Sequence, residues 1–483
     1  MNRWWTTLGL LSLSQVSLAA DSAPDLNAVL ERLARLEAKL GQSDASPSAS
    51  APNTDASADS AQIISELSTR LAILERKLEI QQEDAAAKAP ITPVVAVNEK
   101  GLSIKSAGAG EYEIKLKGLA QFDYRAFIDD GINAGSDTSL FRRLRPSLEG
   151  SIGSLIGFRI TPELAEDQTS LIDAYVDVRF NPAYSLRVGK LKGPIGLERL
   201  QSANAIAMIE RAFPTELAPS RELGAQLFGE LHKGEITYAI GAFNGAPDGR
   251  NATAVDADDN LEWEGRIFFE PWKANANALS GLGFGIAASV GDKDGSGNAF
   301  LPRYRSPGQQ QFFNYRSTVA ARGSHLRLSP QAYFYRNQLG LQAEYITSEQ
   351  ELIVNNQIAS QTSLKNEAWE VTGSWVLTGE PASYKGVERP FRPFVLGQDG
   401  WGAFELVGRV GELDVDDDAF PIFADANAAA TKARAYGLGL NWYLNSNLKL
   451  VLNHTHTDFD GGAAAGADRR VEDTVFTRLQ FAF

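Results

Sequence analysis

The sequence predicts an all-β chain: an antiparallel transmembrane β-barrel of roughly 16 strands, preceded by an N-terminal α-helical coiled-coil segment. Three observations point there. The chain opens on a charged, then apolar, then small-residue leader. Its hydrophobic period changes from 3.6 to 2 near Val97. Beyond that point aromatic residues gather at strand ends, and short turns alternate with long polar loops.

The leader comes first. Asn2 and Arg3 precede an apolar run from Trp4 to Leu13, and Ser17-Leu18-Ala19-Ala20 supplies a small-residue cleavage site. Residues 1–20 therefore read as a secretory signal peptide. No later stretch is apolar for long enough to cross a membrane as a helix. The exported chain is thus soluble, or it crosses as strands.

Bulk composition narrows the function. The chain has no cysteine, which removes disulfides, thiol nucleophiles and thiolate-bound metal. A net charge of -14 argues against nucleic acid, which needs a basic face. It does not argue against small anions, because a pore is set by its local lining. No nucleophile elbow, phosphate-binding loop or dinucleotide fingerprint is present, so no enzyme, cofactor or metal is expected. Asp292-Lys-Asp294-Gly-Ser296-Gly297 begins like a calcium loop, but Arg303 stands where the bidentate glutamate belongs. His454 and His456 share a strand face without a third ligand nearby.

Residues 21–93 carry two near copies of one helical repeat. Leu26, Val29, Leu33, Leu36 and Leu40 alternate spacings of three and four, as do Ile64, Leu67, Leu71, Leu74 and Leu78. That is the apolar stripe of a coiled coil, and each copy is too short to stand alone as a helix in water. Between them residues 41–60 form a Ser/Ala/Asp/Pro linker with nothing to bury. The stripe implies self-association; contact with peptidoglycan across the periplasm is the alternative use.

Residues 98–483 read as the barrel. Tyr436, Leu438, Leu440 and Trp442 alternate with Gly437, Gly439, Asn441 and Tyr443. The same alternation recurs in Trp369, Val371, Gly373 and Trp375, in Phe404, Leu406, Gly408 and Val410, and in Leu282, Phe284, Ile286, Ala288 and Val290. Each is a strand with one apolar and one polar or small face. Arg336-Asn337-Gln338 and Asn445-Ser446-Asn447 are short turns; Asp248 to Asn260 and Asp414 to Lys432 are long polar loops. A last strand with Val475, Thr477, Leu479, Phe481 and Phe483 on one face closes the pattern.

Several ordered blocks resemble the phosphate-selective porin O and P family. They are Ile114-Lys-Leu-Lys-Gly-Leu-Ala-Gln-Phe-Asp123, Phe141-Arg-Arg-Leu-Arg145, Ile172-Asp-Ala-Tyr175, Leu186-Arg-Val-Gly-Lys-Leu-Lys192, Leu377-Thr-Gly-Glu380, Leu440-Asn-Trp-Tyr-Leu444 and Arg478-Leu-Gln-Phe-Ala-Phe483. The resemblance implies a homotrimer of 16-stranded barrels in a Gram-negative outer membrane, surrounded by lipid and conducting small inorganic anions such as phosphate or polyphosphate. It also implies that the loop after Lys192 folds inward and narrows the channel. Phosphate-specific members carry a lysine there after a Ser-Ser pair; here the stretch is Ser202-Ala203-Asn204.

Residue chemistry supplies candidate pore-lining groups independently. With Leu144, Leu148 and Ile152 facing lipid, Arg143 and Arg145 face the lumen, and Arg142 falls at the strand edge. With Ile172, Ala174, Val176 and Val178 outside, Asp173, Tyr175, Asp177 and Arg179 point inward, as does Arg187. Lys190, Lys192, Arg199, Asn204 and Arg211 follow in or near the long segment Gly193 to Ser220. Arginine suits phosphate because its planar fork donates two parallel hydrogen bonds. The function expected is passive anion diffusion, the alternatives being a general or sugar and carboxylate porin or an envelope tether.

Overall fold

The computed structural model describes residues 65–66, 68–80 and 83 and, from residue 93, all but 108–111, 129–134, 166–168, 254 and 276. The leader 1–20, the first repeat and the linker 41–60 lie outside the described residues. The chain divides into two compact units, 1–85 and 86–483. In the first, residues 68–80 are helical, and Leu71, Leu74 and Leu78 are all more than half exposed. Among the described residues no helix is long and apolar enough to cross a membrane.

In the second unit a hairpin of β1 (Val94–Asn98) and β2 (Gly101–Lys105) precedes the barrel. The barrel then runs β3 (Tyr112–Phe127), β4 (Thr138–Ile152), β5 (Ile156–Glu163), β6 (Ser170–Asn181), β7 (Tyr184–Leu191), β8 (Glu222–Leu231), β9 (Ile236–Phe243), β10 (Glu262–Phe269) and β11 (Leu282–Asp294). A small hairpin of β12 (Arg303–Arg305) and β13 (Gln311–Asn314) interrupts it. It resumes as β14 (Val319–Arg336), β15 (Leu339–Val354), β16 (Gln357–Val376), β17 (Ala403–Asp414), β18 (Ala430–Tyr443), β19 (Leu448–Gly461) and β20 (Glu472–Ala482). Apart from the two hairpins these are 16 strands, each antiparallel to the next.

Closure comes from β20 pairing with β3, from Thr474 opposite Phe127 to Ala482 opposite Leu119. No open edge is then left along the joined strands, which is what the hydrocarbon demands of a sheet. Gly118 and Phe483 exchange backbone hydrogen bonds of 3.0 Å in both directions. The Phe483 ring lies over Gly118, where an added Cβ would come within 2.5 Å of it.

The alternation read from the sequence is the alternation of the wall. Phe122, Val188, Ile286, Leu341 and Leu438 are between 42% and 64% exposed on the outer face, an apolar surface that belongs in lipid. Alternate residues such as Gln121, Asp123, Arg327 and Arg478 are buried inside. Two bulges break the period. Gln121 pairs with Arg143 but Phe122 with Phe141, so Arg142 is an extra residue that turns inward with Arg143. Arg142 is therefore a lumen residue and not a strand-edge one. Thr161 pairs with Asp173 but Pro162 with Leu171, so Leu171 takes the outer position and Ile172, expected to face lipid, is buried at 4%.

Part of the lumen is filled by loops. α1 (Leu197–Leu200) and α2 (Pro214–Leu217) lie in the connection between β7 and β8. α2 packs with Phe300, Tyr304, Phe312, Phe313, Phe423 and Phe459 into an apolar cluster at the long-loop end. A second inward fold comes from the opposite end, between β16 and β17. There Ala382 and Val387 pack against Tyr443 and Tyr335, and the Tyr384 ring stacks on Tyr333 at 5.4 Å.

The Gly118 contact tests the closure. Gly118→Val is expected to cost about 1–3 kcal/mol of barrel stability through overpacking against the ring. A lowered urea midpoint in lipid vesicles, partly recovered by adding Phe483→Ala, would show it.

Candidate functional site

The β7–β8 connection crosses the lumen because the far wall offers donors to its backbone carbonyls. Gln121 Nε2 donates to Ala203 O at 3.1 Å and Gln480 Nε2 to Asn204 O at 3.0 Å. Asn441 Nδ2 donates to Ala207 O at 2.9 Å, Arg478 Nη1 to Ile209 O at 2.8 Å and Arg409 Nη1 to Glu210 O at 2.9 Å. The backbone N–H groups opening α1 donate to the Glu344 carboxylate of β15, at 2.8 Å from Leu197 and 3.2 Å from Glu198. From the short-turn end, the Tyr384 hydroxyl donates to Leu197 O at 2.5 Å.

Charge fixes the loop as firmly. Glu210 accepts from Arg125 Nη2 at 2.6 Å and from Arg142 Nε and Nη2 at 2.7 and 3.1 Å. Arg478 forks onto Asp123 at 2.7 and 2.8 Å. These are desolvated, doubly bonded pairs, unlike exposed ones that contribute little. Because the loop leans on the wall from β15 through β20 to β3, the free space lies against β3 to β10.

That space is a cavity of about 1380 Å³ at the short-turn end. In barrels of this kind the short turns face the periplasm. Of the residues singled out in the sequence, Arg145, Asp173, Tyr175, Arg179, Arg187, Lys192 and Asn204 line it. Arg145 Nε bonds Glu163 at 2.6 Å, and Arg187 forks onto Asp177 at 2.6 and 2.9 Å between the rings of Tyr175 and Phe228. Arg179 reaches Asp177 at 3.7 Å. Asn204 turns its exposed side chain to the cavity.

Others sit elsewhere. Lys190 pairs with Ala174 on one side and Leu223 on the other, and it shares the parity of Val188. It therefore lies on the outer face and is not pore-lining, a correction that follows from strict alternation through β7. Arg142, Arg143, Arg199 and Arg211 belong to the buried loop attachment next to the cavity. Arg211 donates to Glu198 O and Gln201 O at 3.0 and 2.9 Å, and Arg199 to Thr215 O. Arg143 bonds Gln121 Oε1 at 2.7 Å and leaves Nε without a partner. Lys192 Nζ donates to the carbonyls of Arg199, Leu200 and Gln201 at 2.6, 3.2 and 3.0 Å, clamping the end of α1 while facing the cavity.

Among the described residues Arg143, Lys192, Arg199 and Arg211 make no ion pair. They crowd one another, since Arg211 is within electrostatic reach of Arg145, Arg199 and Arg221. Sequence reasoning missed several cavity cations: Lys105, Lys115, Lys117, Arg159, Arg221 and Arg266. Lys115 and Lys117 could have been found, because they alternate with Ile114 and Leu116 on the outer face. Arg159, before the lipid-facing Ile160, and Arg266, before Ile267, carry the same signal. Arg221, at the junction of loop and strand, carries none.

Glu210→Ala would leave Arg142 without its carboxylate and Arg125 with Asp123 alone, a loss expected to cost about 3 kcal/mol. Single-channel recordings should show larger and noisier currents as the loop detaches; unchanged conductance would contradict the attachment.

The chain is similar to several known proteins. The family model described as phosphate-selective porin O and P matches residues 114–483, from β3 to Phe483. Porin O of Pseudomonas aeruginosa is 24% identical over 426 residues, covering 81% of this chain and 92% of that protein. Among solved structures, the anion-selective porin from Comamonas acidovorans is 12% identical, covers 77% of this chain and all of its own, and has a TM-score of 0.49. The outer-membrane channel DcaP of Acinetobacter baumannii is 12% identical, with coverage of 78% and 99% and a TM-score of 0.48. Matched along its whole barrel, the chain belongs to the phosphate-selective porin O and P family and is a Gram-negative outer-membrane porin.

Proposed function

We propose that this porin is a passive, homotrimeric channel selective for small anions, with inorganic phosphate or polyphosphate as its preferred cargo. One observation carries the reading. A chain of net charge -14 lines its cavity with eleven basic and six acidic side chains. Cations are thus concentrated where an ion passes, inside low-dielectric walls that strengthen the field. Four of the acids are partnered: Glu149 by Lys117 at 2.8 Å and by Arg159, Glu113 by Lys115 at 2.9 Å, Asp173 by Arg221 at 3.3 Å, and Asp177 by Arg187. An anion entering meets arginine forks already held in place, several of moderate strength rather than one tight trap.

Phosphate fits the arginine content, since two oxygens can accept from one guanidinium. Asn204 supplies a neutral side chain where a lysine would add charge, so the attraction rests on Arg145, Arg159 and Arg221. In planar bilayers the reversal potential across a salt gradient is expected to follow the anion, and added phosphate to block chloride current. Replacing Arg145, Arg159 and Arg221 together by alanine should lower the anion-to-cation permeability ratio about tenfold. Cation-selective current unaffected by phosphate would refute the reading.

The trimer reading rests on the Leu71, Leu74 and Leu78 stripe, which stands exposed among the described residues. Replacing all three by aspartate should lower the thermal midpoint of the trimer on native gels while leaving single-channel conductance unchanged. Loss of envelope attachment in cells with an intact trimer would instead assign the helix to peptidoglycan contact.

A further inference from the structure

Behind the root of the crossing loop lies a group of charges that the anion pathway does not use. Glu222 opens β8, and Glu262 and Glu264 lie on β10. All three are at most 1% exposed, and one carboxylate oxygen from each falls within 4.8 Å of the others. β9 runs between them with Gly241 opposite Glu264, so no side chain at that position separates the acids.

Their neighbours do not balance them. Arg327 pairs with Glu262 and, at 2.7 Å, with Asp248; Lys293 Nζ pairs with Glu262 at 2.8 Å. Four buried carboxylates therefore face two cations. The remaining titratable neighbour is His325, whose Nε2 is 2.9 Å from Ser348 Oγ and 3.6 Å from Asp248. Even a charged His325 would leave one negative charge over. Both oxygens of Glu222 and both of Glu264 are buried without any hydrogen-bond donor. Carboxylates gathered within 4.8 Å of one another, with no donor from elsewhere in the protein, require something positive among them.

Glycine backbone surrounds the gap. A Cβ at Gly193 would lie 2.0 Å from Glu264 Oε2 and 2.5 Å from Glu222 Oε2. One at Gly245 would lie 1.8 Å from Lys293 Nζ and 3.0 Å from Glu262 Oε2. The acids thus converge, at both loop connections, on backbone that carries no side chain.

We propose that Glu222, Glu262 and Glu264 bind one calcium ion that ties both ends of the crossing loop to the barrel wall. The donors are all hard oxygens, which suit calcium and not the softer transition metals. Glu222 and Glu264 can each bind through both oxygens, and Glu262, whose oxygens also meet Arg327 and Lys293, through one, so the acids supply up to five ligands and water completes calcium's usual six or more. A divalent ion also cancels the two-charge excess. Gly193 begins the loop and Glu222 ends it, so the ion closes its base while Glu210 fixes its far end.

The full-length protein, folded in detergent, stripped with a chelator and desalted, would be titrated with calcium chloride by calorimetry. One saturable site per chain is expected, together with a raised thermal midpoint of the barrel. Glu264→Gln should weaken binding by about tenfold or more and abolish the thermal shift. Gly193→Ala, which pushes a methyl group into the space without removing a ligand, should weaken it too and serves if Glu264→Gln fails to fold. Equal calcium binding by wild type and variants would place the ion elsewhere and overturn the proposal. No saturable binding at millimolar calcium would also overturn it; an infrared carbonyl band of a protonated acid, lost in Glu264→Gln, would then assign a shared proton to the pair.

Discussion

Every backbone N–H and C=O at membrane depth must find a partner within the protein, and this structure follows from that demand. A sheet meets it by closing, and the pairing of β20 with β3 closes this one. Closure divides side chains into two sets with opposite solvents. The outer set is apolar because it meets lipid. The inner set is free to be polar, and it is what holds loops and charges. An isolated two-stranded ribbon of these residues would have no reason to keep Arg478 or Glu344 inside.

Once polar groups line the interior, they act on the crossing loop before they act on any ion. Gln121, Asn441, Arg409, Arg478 and Gln480 each donate to its carbonyls. The loop in turn brings its own arginines and Lys192 to the remaining space. One half of the lumen is thereby spent on architecture, packed with apolar rings and satisfied hydrogen bonds. The other half keeps a surplus of positive charge. Neither half is the work of a single strand.

Much of this was legible in the sequence. Strand faces at Tyr436 to Trp442 or Leu282 to Val290 declare themselves, because lipid rejects polar side chains and the period of two is strict. Arg145, Arg187 and Asp177 follow by counting. Arg142 and Ile172 did not, because a bulge is one inserted residue with no composition of its own. The route of the loop was legible only through family resemblance. Its attachment uses backbone carbonyls, which every sequence has, and partners 82 to 276 positions away. The inward fold between β16 and β17 was missed for a related reason. Its Tyr384 looks like any interfacial aromatic until its hydroxyl is seen on Leu197 O.

The charged cavity lies wholly on the short-turn side of the crossing loop, where Lys105, Lys115 and Lys117 join Arg159 and Arg187. The long-loop side opposite is dominated by Phe300, Phe312, Phe313 and Phe423. An ion therefore meets a basic reservoir on one face of the barrier, and on the other a loop cluster whose buried rings hold no such charge. Carriers gathered in the basic reservoir are already at the gate when voltage drives them outward, whereas those arriving from the other side must first be collected. On the anion-selective reading proposed above, such a pore should rectify, its current depending on the sign of the potential and not only its size, without any moving part.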